Sequence, residues 1–382
     1  MTRANGKVSI VCFFSQPPTS RTISGGDRHA LEVWSRWVAR PNVELRVVAC
    51  RTGAELAAHF GHRFEYVFTD ARPTSIGALR LGYIARCWRA LRRGLVLEDA
   101  DVIWAETPFF YDVWPAVVAK LRHRGRRLIV PLYHLIPPPT ARQGNLLVNI
   151  LAWLEQRVTL PFIARFADAI LVAIPQTRDE LVRLGIAPAK IVLTRMGVLA
   201  GESQAVTSRF DAIAVGRLAP AKGVSTLLDA WACLQRERPG AVLALVGGDM
   251  PGFDVEAEIS RRSLSQCVRV IRGASDAQLR DLLGASTIFI SASTEEGYGL
   301  AMAEALDAGL PCAAFDIPAF HAAFPAGILY AQGDRADDLA RAAERLLADA
   351  ELRRRLKDGF AKQRVRVTWD DVARELWSEC IR

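Results

Sequence analysis

The 382-residue chain exceeds what one hydrophobic core usually organises and suits two α/β domains of nearly equal size, with a cleft implied between them. Its 51% hydrophobic and 24% charged residues, free of low-complexity tracts, exclude a disordered chain. The net charge of +8 is uneven: residues 1–200 hold 27 Lys and Arg against 15 Asp and Glu, a net +12, and the remainder carries −4. The first half is thus drawn to phosphates or anionic lipid, or else wears a solvated Arg-rich surface.

An apolar run over residues 7–14 enters Ser15-Gln16-Pro17-Pro18 without a small-residue cleavage site, so it reads as a first strand and not as a signal peptide. Short apolar runs then alternate with amphipathic stretches, the pattern of parallel strands joined by helices. In the first half strands are expected over 7–14, 43–50, 101–106, 127–133 and 167–174, with helices over 27–40, 76–93, 112–124 and 145–166. The helix over 76–93 flanks an apolar face with Arg80, Arg86, Arg89, Arg92 and Arg93. It either packs on the sheet or lies on anionic lipid. Asp99-Ala100-Asp101 has the look of a metal-holding D-x-D motif, but it precedes a strand, away from the carboxyl edge where open sheets bind ligands, and no metal is expected there. The most apolar helical stretch, residues 146–154, is interrupted by Glu155, Gln156 and Arg157 and is expected not to span a bilayer.

Around residues 196–208 the pattern lapses into small and polar residues with Gly197 and Gly201, a linker. The alternation then restarts, with strands over 211–215, 241–246, 268–271, 287–291 and 311–315 and helices over 224–236, 278–283, 300–308 and 336–347. Seven cysteines, Cys12, Cys50, Cys87, Cys233, Cys267, Cys312 and Cys380, are odd in number and form no CxxC pair, which suits free buried thiols in a reducing cytoplasm. No nucleic-acid partner is expected, because the basic surface lacks interleaved aromatics and a recognisable module.

The most informative segment runs from Ser293-Thr294-Glu295-Glu296 through Gly297-Tyr298-Gly299 into Leu300, with Glu304 one turn further on. A strand ends, two glycines allow a tight turn, and a helix begins with backbone N–H groups aimed outward, an anion site by geometry. Glu296 and Glu304 would repel a phosphate directly, so their useful role is to accept hydrogen bonds from sugar hydroxyls. The second segment, Val215-Gly216-Arg217 to Lys222-Gly223, leaves the first strand of the second half. Its two cations either clamp a diphosphate or are solvated loop charges.

Together these segments resemble the retaining glycosyltransferase family 4, in the V-G-R-L-x-x-x-K-G run and in the E-x7-E spacing of Glu296 and Glu304. Weaker matches are Val270-Ile271-Arg272-Gly273 to a base-binding turn, Gly197-Val198 to the linker and Thr368-Trp369 to the final segment. In the first half the resemblance rests on Gly25-Gly26 and His134. It implies an α/β GT-B fold, two doubly wound Rossmann-like domains facing each other across a cleft, spanning 1–200 and 201–365, with a last helix over 366–382 returning to the first domain. By resemblance, Arg217 and Lys222 hold the diphosphate, Glu304 the ribose, and Glu296 with Gly297, Tyr298, Gly299 and Leu300 the donor sugar. Gly216, Ile271 and Arg272 line the donor site, Gly25 and Gly26 approach the phosphates, and His134 lies near the anomeric centre. The implied reaction is metal- and cofactor-free transfer from a UDP- or GDP-sugar to a saccharide or lipid-linked acceptor, in cell-surface polysaccharide or glycolipid synthesis. It implies a cytoplasmic site of action, at the inner membrane face if the basic half touches anionic lipid.

Three departures from the family pattern leave the phosphate site intact: Ala292-Ser293, Gly247-Gly248-Asp249, and Asp316-Ile317-Pro318-Ala319-Phe320 in place of a glycine-rich turn. A glycoside hydrolase would also use paired carboxylates, but it needs no anion turn between them. An epimerase or phosphorylase of the same fold, a two-lobed sugar-binding protein, and a silent partner of another transferase are the other readings.

Overall fold

A computed structural model describes residues 7–15, 23–69, 87–93, 100–142, 144–198, 209–250 and 252–381. They fall into two compact units, Met1–Gly197 with Trp369–Arg382, and Val198–Thr368. Most of the expected linker, Gly201 included, and most of the helix expected over 76–93 lie outside the described residues.

The first unit holds seven parallel strands: β1 (Val8–Phe14), β2 (Val43–Ala49), β3 (Glu65–Phe68), β4 (Val102–Ala105), β5 (Arg127–Pro131), β6 (Ala169–Val172) and β7 (Ile191–Leu193). Their order is β3-β2-β1-β4-β5-β6-β7. The strands β1, β4 and β6 are buried at every position, as strands covered by helices on both faces must be. The edge strands β3 and β7 go beyond the expected set. They are short and partly exposed, so their apolar signal is weak. The order reverses between β1 and β4, which opens a crevice at the carboxyl ends of those two strands.

The last helix, Trp369–Cys380, belongs to this unit. It packs on the helix Gly25–Val38: Trp37 Nε1 donates to the carbonyl of Ala373 at 2.9 Å, Arg36 pairs with Asp370, and Trp377 stands edge-on to Trp37 at 5.6 Å. Glycine at position 197 permits the approach, since a Cβ there would lie 2.5 Å from the Trp369 ring. Of the carboxylates set aside above, Asp101 accepts the Ser9 N–H at 2.8 Å, beside the amino end of β4, and Asp99 lies outside the described residues.

The second unit is a six-stranded parallel sheet of β8 (Phe210–Val215), β9 (Leu243–Val246), β10 (Val268–Ile271), β11 (Ser286–Ser291), β12 (Cys312–Ala314) and β13 (Ile328–Tyr330). Its order is β10-β9-β8-β11-β12-β13, with the reversal between β8 and β11. Both sheets are doubly wound. All seven cysteines are free thiols, and all but Cys233 are buried.

A buried hydrogen-bond chain ties the carboxyl edge of the first unit together. The fully buried His29 meets Tyr133 Oη at 2.7 Å through Nδ1 and Thr194 Oγ1 at 3.2 Å through Nε2. The single Thr194 hydroxyl proton goes to the Arg195 carbonyl at 3.2 Å, so Nε2–H donates to Thr194 and Nδ1 accepts from Tyr133. Burial lowers the His29 pKa to about 3. In the unfolded chain the ring titrates near about 6.5. The unfolded state therefore binds more protons between those values, and stability rises with pH across that window. Asp112, which burial raises to about 7, works the other way, because the folded state holds its proton more tightly. A comparison with His29→Gln cancels the Asp112 contribution. Wild type should be the more stable protein at about pH 8, and its advantage should shrink by roughly 2 kcal/mol at about pH 5, at ~1.4 kcal/mol per unit of pH. Urea unfolding of both proteins at the two pH values measures this, and an advantage that does not change with pH would mean that His29 is not held neutral by the fold.

Candidate functional site

The chemistry-bearing segments of the second unit leave its sheet at the reversal between β8 and β11. Residues 216–223 follow β8 and residues 292–299 follow β11. Two glycines let these exits close on one another. At Gly223, in the left-handed region with φ 67°, a Cβ would stand 2.1 Å from the carbonyl oxygen of Ala292. At Gly247, after β9, a Cβ would stand 1.7 Å from the carbonyl oxygen of Gly216. Backbone bonds from Leu218 N–H to the Gly248 carbonyl at 2.9 Å and from Met250 N–H to the Leu218 carbonyl at 3.3 Å finish the weave.

This weave brings Lys222 and Glu296 together: Lys222 Nζ donates to Glu296 Oε1 at 2.7 Å, with both side chains mostly buried. Arg217 lies on the same loop, half-buried, with no hydrogen bond or ion pair to any described residue. Arg272 is held elsewhere. It donates to Asp249 at 2.8 Å and to Glu256 at 2.6 Å, and the bond to Asp249, reinforced by Glu256, raises its pKa. It braces the exits of β9 and β10, where Ile271 also accepts the Gly247 N–H at 2.9 Å.

After Glu296 the chain turns through Gly297 and Tyr298 into Gly299, whose φ of 94° is left-handed and whose Cβ would meet the Phe320 ring at 2.8 Å. The helix Leu300–Asp307 starts there, with no side-chain cap and no acidic residue in its first turn. Its first internal bond is Ala303 N–H to the Gly299 carbonyl at 3.0 Å, so the N–H groups of Leu300, Ala301 and Met302 are not spent within the helix. Glu304 lies on this helix, 7% exposed. Tyr298 stands edge-on to Phe324 at 5.4 Å, and burial pushes its hydroxyl pKa up. Arg217, Lys222 and a bare helix N-terminus can neutralise an anion, while the carboxylates of Glu296 and Glu304 are of the type that accepts hydroxyl hydrogen bonds.

The remaining expected residues belong to the first unit. Gly25 and Gly26 open the helix Gly25–Val38, which Ser24 and Asp27 close with a capping box. The helix bonds begin at Asp27 and Arg28, which leaves the N–H groups of both glycines outside the helical ladder. A Cβ on Gly26 would lie 3.1 Å from the Tyr133 ring, so this glycine and the Tyr133-His134 exit of β5 are neighbours. His134 is half-buried, and its carbonyl accepts from Gln156 Nε2 at 2.9 Å. Gln156 Oε1 in turn accepts the Ile136 N–H at 2.8 Å.

Sequence reasoning passed over Glu106, at the exit of β4. It accepts from Trp104 Nε1 at 2.7 Å and is 3% exposed, and burial, with Asp27 and Asp112 adding to it, drives its pKa well up. Its signal was available in part, as a carboxylate directly following an apolar strand. His29 and Gln156 had no such signal, because a polar residue on a helix reads as a solvated face, and Tyr133 fell within an expected strand, where an aromatic reads as core.

Comparison with known proteins fits both halves. The Glycosyltransferase Family 4 model matches residues 23–198 and the Glycosyl transferases group 1 model residues 200–363. Among characterised relatives, GDP-mannose:cellobiosyl-diphosphopolyprenol alpha-mannosyltransferase of Xanthomonas oryzae pv. oryzae (strain PXO99A) is 31% identical over 169 residues, 42% of this chain and 44% of that protein. D-inositol 3-phosphate glycosyltransferase of Streptomyces bingchenggensis (strain BCW-1) is 28% identical over 245 residues, 56% of this chain and 54% of that protein. The chain spans between about a quarter and a half of the length of such relatives. The crystal structure of Anabaena Alr3699/HepE in complex with UDP and glucose superposes with a TM-score of 0.71 at 16% identity, over 97% of this chain and 98% of that one, a likeness of fold. With both halves matched in family and the whole length matched in fold, the chain belongs to glycosyltransferase family 4 and has the GT-B fold.

Proposed function

We propose that the protein is a retaining, metal-independent glycosyltransferase that moves a sugar, a mannosyl group first among the candidates, from a UDP- or GDP-sugar to a saccharide or lipid-linked acceptor. The observation that carries the reading is the Lys222–Glu296 pair at 2.7 Å, set at the strand-order reversal just ahead of a bare helix N-terminus. Relatives named for GDP-mannose and for a diphosphopolyprenol acceptor support the donor and acceptor classes.

The pair reconciles two demands on the site. A lysine ammonium has three donors, so one can stay on Glu296 while two turn to diphosphate oxygens. The second oxygen of Glu296 is then left to accept from a donor-sugar hydroxyl. In the transfer, the bond between the anomeric carbon and the diphosphate oxygen breaks with its electron pair leaving on the diphosphate. Arg217, Lys222 and the N–H groups from Leu300 stabilise that growing charge. The acceptor oxygen attacks from the same face, and its proton passes to the leaving diphosphate. His134 contacts donor hydroxyls or the departing phosphate, and Glu304 accepts from the ribose hydroxyls.

A panel of GDP-mannose, UDP-glucose and UDP-N-acetylglucosamine tests the reading: the true donor should raise the melting temperature most, by an amount that grows with the logarithm of its concentration over Kd. Excess EDTA should leave both the protection and the transfer unchanged. Activity lost to EDTA and restored by Mn²⁺ would sink metal independence, and release of an epimerised nucleotide sugar would replace transfer with epimerisation.

Arg217→Ala should cost about 2.7–4 kcal/mol of transition-state stabilisation, the scale for one preorganised donor to a developing anion, read as a fall of about a hundredfold or more in kcat/KM. Lys222→Ala removes a donor and also strands the Glu296 carboxylate, so part of its cost is an unpaired charge. Lys222→Ala combined with Glu296→Gln should therefore cost less than the sum of the singles. Strict additivity in that cycle would mean that the pair does not act as one unit.

Glu304→Gln should weaken binding of the bare nucleoside diphosphate, while Glu296→Gln should spare it and lower turnover with the intact donor. Calorimetric titration with UDP and GDP separates the two, and an unchanged affinity in Glu304→Gln would remove its ribose role.

A further inference from the structure

Exposed large apolar side chains among the described residues concentrate on one helix of the first unit, Leu146–Phe166, where Leu146, Leu147, Val148, Leu151, Leu154 and Val158 are 46–61% exposed. Leu147, Leu151, Leu154 and Val158 recur at steps of four and three, followed at the same rhythm by exposed Pro161 and Arg165. They form a single stripe along the helix, ending in a cation. The helix is also long and apolar enough by composition to cross a membrane, against the expectation that Glu155, Gln156 and Arg157 would rule this out. Those residues do not break it: Glu155 accepts the Phe110 N–H at 2.8 Å, Gln156 holds the His134 loop and Arg157 lies over the Trp153 ring, while Thr159 nearby donates to the Pro108 carbonyl at 2.5 Å. Threading the helix through a bilayer would strip these bonds. Laying its outer face on one would not.

We propose that this stripe docks the first unit onto an anionic lipid bilayer surface, the helix lying in the plane of the interface with its leucines at the acyl boundary and Arg165 at headgroup level. Charge complementarity selects a bilayer over another occupant. The right-handed crossover rule puts the helical residues 87–93, on the path from β3 to β4, on the same sheet face as the helices Phe110–Arg122 and Leu146–Phe166. There Trp88 is 60% exposed beside exposed Arg89, Arg92 and Arg93. An interfacial tryptophan among arginines suits anionic headgroups, and the net +12 of residues 1–200 adds attraction of the same sign. The surface goes beyond the proposed reaction and holds for any donor.

The test is flotation with phosphatidylcholine vesicles, either alone or containing about one third phosphatidylglycerol. Wild-type protein should float with the anionic vesicles, less so as salt rises and little with phosphatidylcholine alone. Leu151→Glu with Leu154→Glu should cut the bound fraction by about tenfold or more at an unchanged melting temperature and unchanged nucleotide protection. The milder Leu151→Gln with Leu154→Gln serves if the glutamate variant does not fold. Failure of the wild type to float overturns the proposal, as does flotation that ignores the substitutions. A wild type that self-associates, becomes monomeric in the glutamate variant and never binds vesicles would assign the stripe to a second copy of the chain instead.

Discussion

At Gly223 the backbone has no room for a side chain: a Cβ would press to 2.1 Å against the carbonyl oxygen of Ala292. The second unit's site depends on that close approach. Parallel strands in the order β10-β9-β8-β11-β12-β13 necessarily place the exits of β8 and β11 side by side, but adjacency alone leaves the two loops a side chain apart. Removing that side chain lets Lys222 reach Glu296 at 2.7 Å. The left-handed φ of Gly223 also turns the chain into the helix Val224–Glu237 directly after the lysine. Sheet topology sets where the site is, and one glycine sets how tight it is.

The same logic explains the bare helix start at Leu300. A capping side chain or a first-turn carboxylate would stabilise the helix by about 1 kcal/mol, yet Gly299 offers neither. The helix is anchored at its sides instead, with Met302, Ala303, Ala305 and Leu306 buried. Its N–H groups can then face outward at no cost to a cap. The contrast with Gly25–Val38 is instructive, since that helix carries a full capping box from Ser24 and Asp27.

Much of the fold was legible because parallel strands announce themselves. Runs such as those of β1, β6 and β9 are apolar at nearly every position and are buried on both faces. The elements missed were those whose apolar pattern is diluted: β3 and β7 at the sheet edge, β13 with three residues, short helices such as Arg51–His59 and Pro318–Ala323, and the longer helix Ala350–Gln363, of which only Leu352 is buried. In the site, residue types and spacing pointed to Glu296, Glu304, Arg217 and Lys222. They did not reveal that Lys222 and Glu296 are partners 74 residues apart, nor that Arg272 is committed to Asp249 and Glu256. Ion pairing depends on which strand exits are neighbours, and local pattern carries no record of strand order.

Charge is distributed differently in the two units. Composition left open whether the basic excess of residues 1–200 serves phosphates or lipid. In the first unit the carboxyl edge of the sheet is acidic: Asp27, Glu106 and Asp112 are all buried there, and burial holds Glu106 toward its neutral form and raises Asp112 to about 7. Carboxyl groups at that edge oppose a diphosphate and favour hydroxyl-bearing ligands, because a neutral carboxyl both donates and accepts. Many of the arginines sit elsewhere, with Arg89, Arg92, Arg93, Arg122, Arg124 and Arg165 all exposed. The described arginines nearest the strand exits are engaged within the unit: Arg28 pairs with Glu32 at 3.3 Å, Arg195 pairs with Glu375, and Arg51 lies over the Phe68 ring. The basic excess of the first half is thus carried largely by exposed arginines, while the second unit brings Arg217 and Lys222 together on the loop that leaves β8.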